Sequence, residues 1–297
     1  MVITKETKRA QVILNIIMIF IGLAAVIPFI LLIVSSFTDD ITILQNGYSF
    51  FPKKTSLKAY KYLIDNSSMI THAYGITILV TFVGTVFSLI ITSLLAYPIS
   101  RKDLPYRKFF TVIVVITLLF NGGLVPTYLI YTEIFHIKNT IWALLVPSLL
   151  MNGFNIMLVR TYYITSIPDA LIESAKIDGA GEFTIFYKIV LPLSLPILAT
   201  IGLMTGIMYW NDWNNGLIYI NKDSLFSIQL LLNRMIGDIQ YLATNANKLG
   251  GVVDTSNLPT ETIRMAIAVI GILPILAAYP FFQKYFVKGI TLGAVKG

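Results

Sequence analysis

Six long runs of mostly apolar residues, near 12–37, 73–99, 109–131, 140–164, 187–209 and 264–287, constrain this chain more than any other feature. A helix needs about 20 such residues to cross the hydrocarbon core of a bilayer. These runs are apolar around their full circumference, unlike the one-sided helices of a soluble fold. A transmembrane barrel would instead show segments of about 10 residues alternating in and out, and that pattern is missing. The chain is 56% hydrophobic and 12% charged, whereas a soluble domain carries about a quarter charged residues. The expectation is an all-α polytopic membrane protein: six transmembrane helices forming one domain over 1–297. The run beginning at Val12 exceeds the roughly 7–15 apolar residues of a cleaved signal, so it reads as a retained span. With no cysteine, a disulfide framework and a Cys-based metal site are excluded.

An even number of spans places both termini on one side. The tight loop Ser100–Lys108 carries Arg101, Lys102, Arg107 and Lys108 against one acid, Asp103. Short loops rich in Lys and Arg stay cytoplasmic, so both termini, this loop and the segment Arg160–Lys188 are expected in the cytoplasm. The net charge of +7 then reflects this bias rather than a nucleic-acid partner. Two long segments, about 38–72 and 210–263, fall outside. A locally amphipathic piece of the second, Ser227–Met235, suits the membrane interface.

The cytoplasmic segment 165–188 is short, charged and helix-prone. Ser166-Ile167-Pro168-Asp169 has the spacing of a capping box with an early proline. Asp169 and Glu173 fall in the first turns, where the helix dipole favours anions, and Gly179 and Gly181 supply termination. A helix of about three turns is too short to stand alone in water, so it needs a partner surface. Ala170, Ser174 and Ala175 are small enough for close approach, and Glu173 and Asp178 can pair with bases or accept backbone bonds. A surface helix capping the bundle would look the same on these residue types alone. Pro192 and Pro196, four apart at the start of the fifth run, each remove a backbone donor. They predict a kink or a hinge there.

The spacing from Glu173-Ser174-Ala175 through Gly179 to Ile189-x-Leu191-Pro192 resembles the signature loop of binding-protein-dependent ATP-binding-cassette (ABC) importer permeases. Leu95–Arg101 and the tail Phe282–Gly297 are similar to the carbohydrate, or maltose-type, branch. Asn121–Tyr128 and Asn139–Ala143 are similar to its complex-oligosaccharide subgroup. Two departures are Ser174, where alanine is usual, and Tyr97-Pro98, where the proline should kink span two or end it early. The resemblance implies a type I importer fold in a bacterial cell membrane. It implies ATPase coupling through Glu173, Ser174, Ala175, Asp178, Gly179, Ile189, Leu191 and Pro192, and a tail touching the ATPase through Gly289, Thr291, Gly293 and Lys296. The implied partners are a second, homologous permease in a pseudo-twofold heterodimer, two copies of a cytoplasmic ATPase and an external sugar-binding protein. ATP and Mg would be bound by the ATPase subunits, with no cofactor in this chain. Consistent with that, the chain contains no Gly-x4-Gly-Lys-Ser/Thr phosphate loop.

Polar groups at bilayer depth usually face the bundle interior. On that ground Asn121, Tyr128, Asn152 and Asn155 are candidates for a substrate path, and Trp210, Asn211 and Trp213, closing span five at the outer face, are candidates for its vestibule or for a binding-protein contact. Helix–helix hydrogen bonds and an interfacial aromatic belt are the competing readings. A self-contained secondary transporter or channel is the alternative function. The absence of internal repeats and of buried acid pairs argues against it. No nucleophile–base constellation suggests an enzyme.

Overall fold

The computed structural model describes residues 5–245 and 260–294, with side chains over 11–241 and most of 261–280. Fourteen helices account for nearly all regular structure among them. In chain order these are α1 (Lys5–Ser36), α2 (Asp40–Asn46), α3 (Lys58–Asp65), α4 (Ser67–Ser100), α5 (Arg107–Leu119), α6 (Leu124–Ile134) and α7 (Trp142–Leu145), followed by α8 (Gly153–Ser166), α9 (Asp169–Ile177), α10 (Glu182–Leu193), α11 (Leu195–Trp210), α12 (Asn214–Tyr219), α13 (Ile228–Asn245) and α14 (Thr260–Ala294). The chain clusters into two compact units, residues 1–68 with 232–275, and 69–231 with 276–297.

In the first unit, α1 is continuous through Pro28 and leaves its large apolar side chains exposed on every side. That surface is suited to lipid. The chain then folds back: Thr38 pairs with Thr55, Phe37 stacks on Tyr60 at 4.6 Å, and the Ser36 and Tyr60 hydroxyls lie 2.7 Å apart. Asp40 of α2 reaches the start of α14, where its Oδ1 accepts from Glu261 N at 2.9 Å and Thr262 N at 3.0 Å. A carboxylate there satisfies orphan donors and meets the positive end of the helix dipole.

The second unit holds the features that matter for function. Among the described residues of both units, two helices, Gln11–Ser36 within α1 and α4, are long and apolar enough to cross a membrane. Two bent pairs, α5–α6 and α10–α11, raise the number to four if each is one span. The continuous six-helix expectation therefore changes at three places. At the first, α5 and α6 meet at 114° around Asn121-Gly122-Gly123, where Gly123 takes φ 84° and donates to the Asn121 side chain at 2.9 Å. Residues 140–164 are the second place, and they form no single helix. α7 stops, seven residues turn through Pro147, and α8 begins at Gly153 with Asn152 as its cap. The third is at Ser194, between Pro192 and Pro196, where α10 and α11 meet at 76°. Neither proline can donate within the helix, and the Ser194 hydroxyl bonds back to the Val190 carbonyl, which also accepts from Ser194 N. Pro98 does not end the helix early: α4 runs past it to Ser100. The piece Ser227–Met235 does not present an apolar face outward, since Ile228, Leu230, Leu231 and Met235 are buried.

α4 turns a file of small residues inward, among them Ala73, Thr77, Gly84, Ser88, Thr92 and Ala96. Small side chains let membrane helices approach closely. At Gly84 the approach is extreme, because a Cβ there would lie 2.6 and 2.7 Å from Cε1 and Cε2 of Tyr209 on α11. The Tyr209 ring cannot retreat, being 2% exposed and hydrogen-bonded to the Leu145 carbonyl at 2.7 Å. Gly84→Ala should therefore destabilise the folded chain by about 1–3 kcal/mol. Gly75→Ala on the same helix, with nothing within 4 Å of the added carbon, should be nearly neutral. Thermal unfolding of both variants in mild detergent checks the pair; equal midpoints would contradict the contact.

Candidate functional site

α9 and its flanks form the charged end of the second unit. The helix starts at Asp169 after Pro168, as the sequence suggests, but the Ser166 hydroxyl makes no cap bond. Asp169 turns outward and takes the Lys102 ammonium at 2.7 Å, so the capping box is not built. The C-terminus follows the glycine rule closely. Gly179 takes φ 80°, Ala180 N donates to Ala175 O at 2.9 Å, and Gly179 N donates to Lys176 O at 3.0 Å. These two bonds define a Schellman ending, which needs a residue that tolerates the left-handed region. Gly181 does not terminate α9; it precedes α10 as its extended cap residue.

The helix has two faces with different uses. Ile172 and Ala175 point into a core shared with Ala96, Ile99, Val159, Tyr163, Ile185 and Val190. Burying a side chain of the size of Ile172 contributes about 1.5–3 kcal/mol, enough to hold so short a helix in place. Ala175 is thus occupied by the chain's own core. Glu173, Ser174, Asp178 and Gly179 are exposed. Alongside them Ile177 and Phe183 are each 85% exposed and Tyr187 is 69% exposed. Ile189 and Leu191 pack against the edge of the core, and Pro192 is exposed at the break in the span.

A charge cluster, absent from the sequence expectations as a unit, surrounds this helix. Lys176 in its last turn bridges Asp103 at 2.6 Å and Glu182 at 2.9 Å. Asp103 also takes Arg101 through both oxygens, at 3.1 and 3.2 Å. Glu182 accepts from the Tyr97 hydroxyl at 2.6 Å. The hydrogen bonds from Lys176 and then Arg101 hold the Asp103 carboxyl down to about 2, against the weaker opposing effect of burial. Asp103 and Glu182 in turn push Lys176 above the ordinary lysine value. A depressed carboxyl keeps its contribution above the unfolded value and loses it as pH falls through about 2; a raised ammonium keeps its own until pH rises past the usual lysine range. The cluster is therefore ionised throughout the physiological range. Beside it, Leu94, Tyr97, Pro98, Leu104, Pro105, Phe183 and Phe186 line a cleft of about 380 Å³. The available signals were the adjacent opposite charges of Lys102-Asp103 in a tight loop and the lysine in the last turn of α9.

The predicted path residues are largely engaged in holding the backbone. Asn121 closes the turn before α6, and Asn152 caps α8 by accepting from Phe154 N at 3.0 Å and Asn155 N at 3.2 Å. Asn155, 4% exposed, donates to Thr205 on α11 at 3.4 Å. Tyr128 stacks on Tyr219 and lies under Lys138, whose ammonium reaches its hydroxyl at 2.8 Å. Asn211 bonds back to Ile207 O, Trp210 lies 6.3 Å from Tyr74, and Trp213 is partly exposed. Two groups missing from the sequence expectations are Asn215, whose side chain donates to Pro147 O at 2.9 Å, and the hydroxyl file of α4. Gly289, Thr291 and Gly293 lie on α14 beyond the described side chains, and Lys296 lies outside the described residues.

The profile of the binding-protein-dependent transport system inner membrane component family matches residues 3–292. The polygalacturonan/rhamnogalacturonan transport system permease protein YtcP of Bacillus subtilis is 37% identical, over 94% of this chain and 96% of that protein. Protein LplC of the same organism is 36% identical, over 93% of this chain and 91% of its own length. Among solved structures, a bacterial ABC transporter involved in import of the acidic polysaccharide alginate superposes with a TM-score of 0.77. It is 27% identical and covers 95% of this chain and 98% of the matched chain.

The ending of α9 yields a local prediction. Gly179→Val should cost about 1–2 kcal/mol locally because a branched side chain resists positive φ, and the Ala180 amide should exchange with solvent much faster. Gly179→Asn should show a smaller change. Hydrogen exchange on the peptide spanning 170–181 checks the order of the two.

Proposed function

The chain belongs to the family of inner membrane components of binding-protein-dependent transport systems; it is a membrane-embedded permease component, and we propose how it works within an ATP-driven importer. It pairs with a second, homologous permease, and two copies of a cytoplasmic ATPase drive the pair between inward- and outward-facing states. An external binding protein delivers the substrate. Six spans, with the helix breaks counted inside single spans, put both termini and α9 in the cytoplasm. Nucleotide and Mg sit in the ATPase subunits.

The observation that carries this reading is the exposed face of α9. A chain whose other exposed apolar surface is lipid-like displays Ile177, Phe183 and Tyr187 beside Glu173 and Asp178 at its charged, cytoplasmic end. Such a mixed surface fits a protein groove rather than acyl chains. We assign Glu173, Ser174, Asp178 and Gly179 to the coupling contact, with Ala175 positioning the helix from inside. Ile189, Leu191 and Pro192 pass its displacement into the bent span. The tail from Gly289 to Gly297 is assigned a second contact on the ATPase.

The substrate is proposed to be an oligosaccharide. YtcP is named for polygalacturonan and rhamnogalacturonan transport and the solved importer for alginate import, and the chain is similar to each over nearly its whole length.

In the reconstituted complex, Gly179→Asp should abolish ATP-driven uptake while the variant still inserts and is recovered from the membrane. Normal uptake by that variant would sink the assignment of α9. Deleting Gly289–Gly297 should lower the substrate carried per ATP hydrolysed, and an unchanged ratio would make the tail passive. A panel of labelled oligogalacturonides, alginate oligomers, arabino-oligosaccharides and maltodextrins tests the substrate class; uptake of none of them would contradict it.

A further inference from the structure

Lys102 and Asp103 are neighbours in sequence, yet they grip opposite ends of α9. Lys102 takes Asp169 at the first residue of the helix, and Asp103 takes Lys176 in its last turn. Nine helical residues span about 13 Å, so adjacent side chains of opposite charge straddle the whole element. The polarity is the favourable one: Asp169 lies at the positive end of the helix dipole and Lys176 at the negative end. Behind the loop, Arg101 secures Asp103, and Arg160 on α8 donates to the Ile99 carbonyl at 3.0 Å, fixing the end of α4. Lys176 continues the chain of contacts to Glu182 at the start of α10, and Glu182 returns to Tyr97 on α4.

We infer that the loop Arg101–Asp103 is a clasp binding α9 to the end of α4, with Asp103 and Lys176 as positioning residues that make the two move as one body. This rests on the reading of α9 as the coupling element, and it adds a second route for its motion. One route follows the chain through α10 and the bend at Ser194. The other leaves the chain and crosses by ion pairs into α4, which packs against α11 at Gly84 and Tyr209. A displacement of α9 then reaches both sides of that contact together. Without the clasp, α9 can shift on its apolar seat while α4 stays behind, and ATP is hydrolysed with less transport.

The test uses the whole complex in proteoliposomes with its binding protein and labelled oligogalacturonide as probe. Uptake and ATP hydrolysis are measured together for Asp103→Asn, Lys176→Met, their double variant and Lys176→Arg. Each neutral single variant should lower uptake per ATP several-fold at unchanged complex yield. The double variant should be no worse than the worse single, because both substitutions open the same clasp. Lys176→Arg, which keeps the charge, should stay near the parent. Ratios equal to the parent in both single variants, losses that multiply in the double, or Lys176→Arg as poor as Lys176→Met would each overturn the inference. A defect that lowers uptake and hydrolysis in proportion would also overturn it, since it would mark a merely structural role. Should the parent complex itself fail to couple hydrolysis to uptake, the functional reading would fail instead.

Discussion

At bilayer depth every backbone donor and acceptor must find a partner inside the protein, because acyl chains supply none. That requirement explains why the described residues are almost wholly helical. It also dictates what happens where helices stop. The seven-residue turn between α7 and α8 exposes carbonyls that a helix would have satisfied, and Tyr209 and Asn215 reach across to Leu145 O and Pro147 O. Asn152 takes backbone N–H groups where that turn ends and α8 begins, and Asn121 does so before α6. At Ser194 the serine hydroxyl adds a second bond to the Val190 carbonyl beside the two prolines. Asn121, Asn152, Tyr209 and Asn215 thus all serve backbone groups at places where a helix is broken.

The same economy separates the two faces of α9. Its seat is apolar, through Ile172 and Ala175, and its orientation is set by charges at its ends. Apolar contact is non-directional and tolerates small rotations. Ion pairs at both ends select one rotation. Exposed pairs add little stability individually, so their presence here is better explained by direction than by strength. The Gly179 ending turns the chain sharply enough that α10 starts beside the same cluster, which lets one lysine serve both Asp103 and Glu182.

Much of this was legible in the sequence. The run from Val12 to Phe37 is α1 to within a residue at its far end, and α4 covers 73–99 with one extra turn and more at its start. The family signature located α9, and Gly179 announced its end, since a glycine after a periodic helix is a physical terminator rather than a statistical one. What stayed hidden depends on long-range partners. Asn152 reads equally well as a sugar ligand or as a cap until Gly153 and the turn through Pro147 are known. Asp169 has capping-box spacing, but Lys102, 67 residues earlier, competes for it and wins. Pro98 suggested an early stop because the sequence cannot show that the packed end of α4 tolerates one missing bond.

These failures share a cause that bears on how the permease transmits force. Local rules predict where a helix begins and ends when the terminus is free to satisfy itself. At the charged end of this chain the first residue of α9 is tied to another element instead, while its C-terminus closes on itself at Gly179. Asp169 serves Lys102 rather than its own helix, and Tyr97 serves Glu182 across 85 residues. A terminus that satisfied itself would be mechanically independent. One that depends on a distant side chain can neither move nor unravel without disturbing its partner. The places where sequence logic is overridden in this cluster are therefore those where side chains at the ends of separate helices pair with one another.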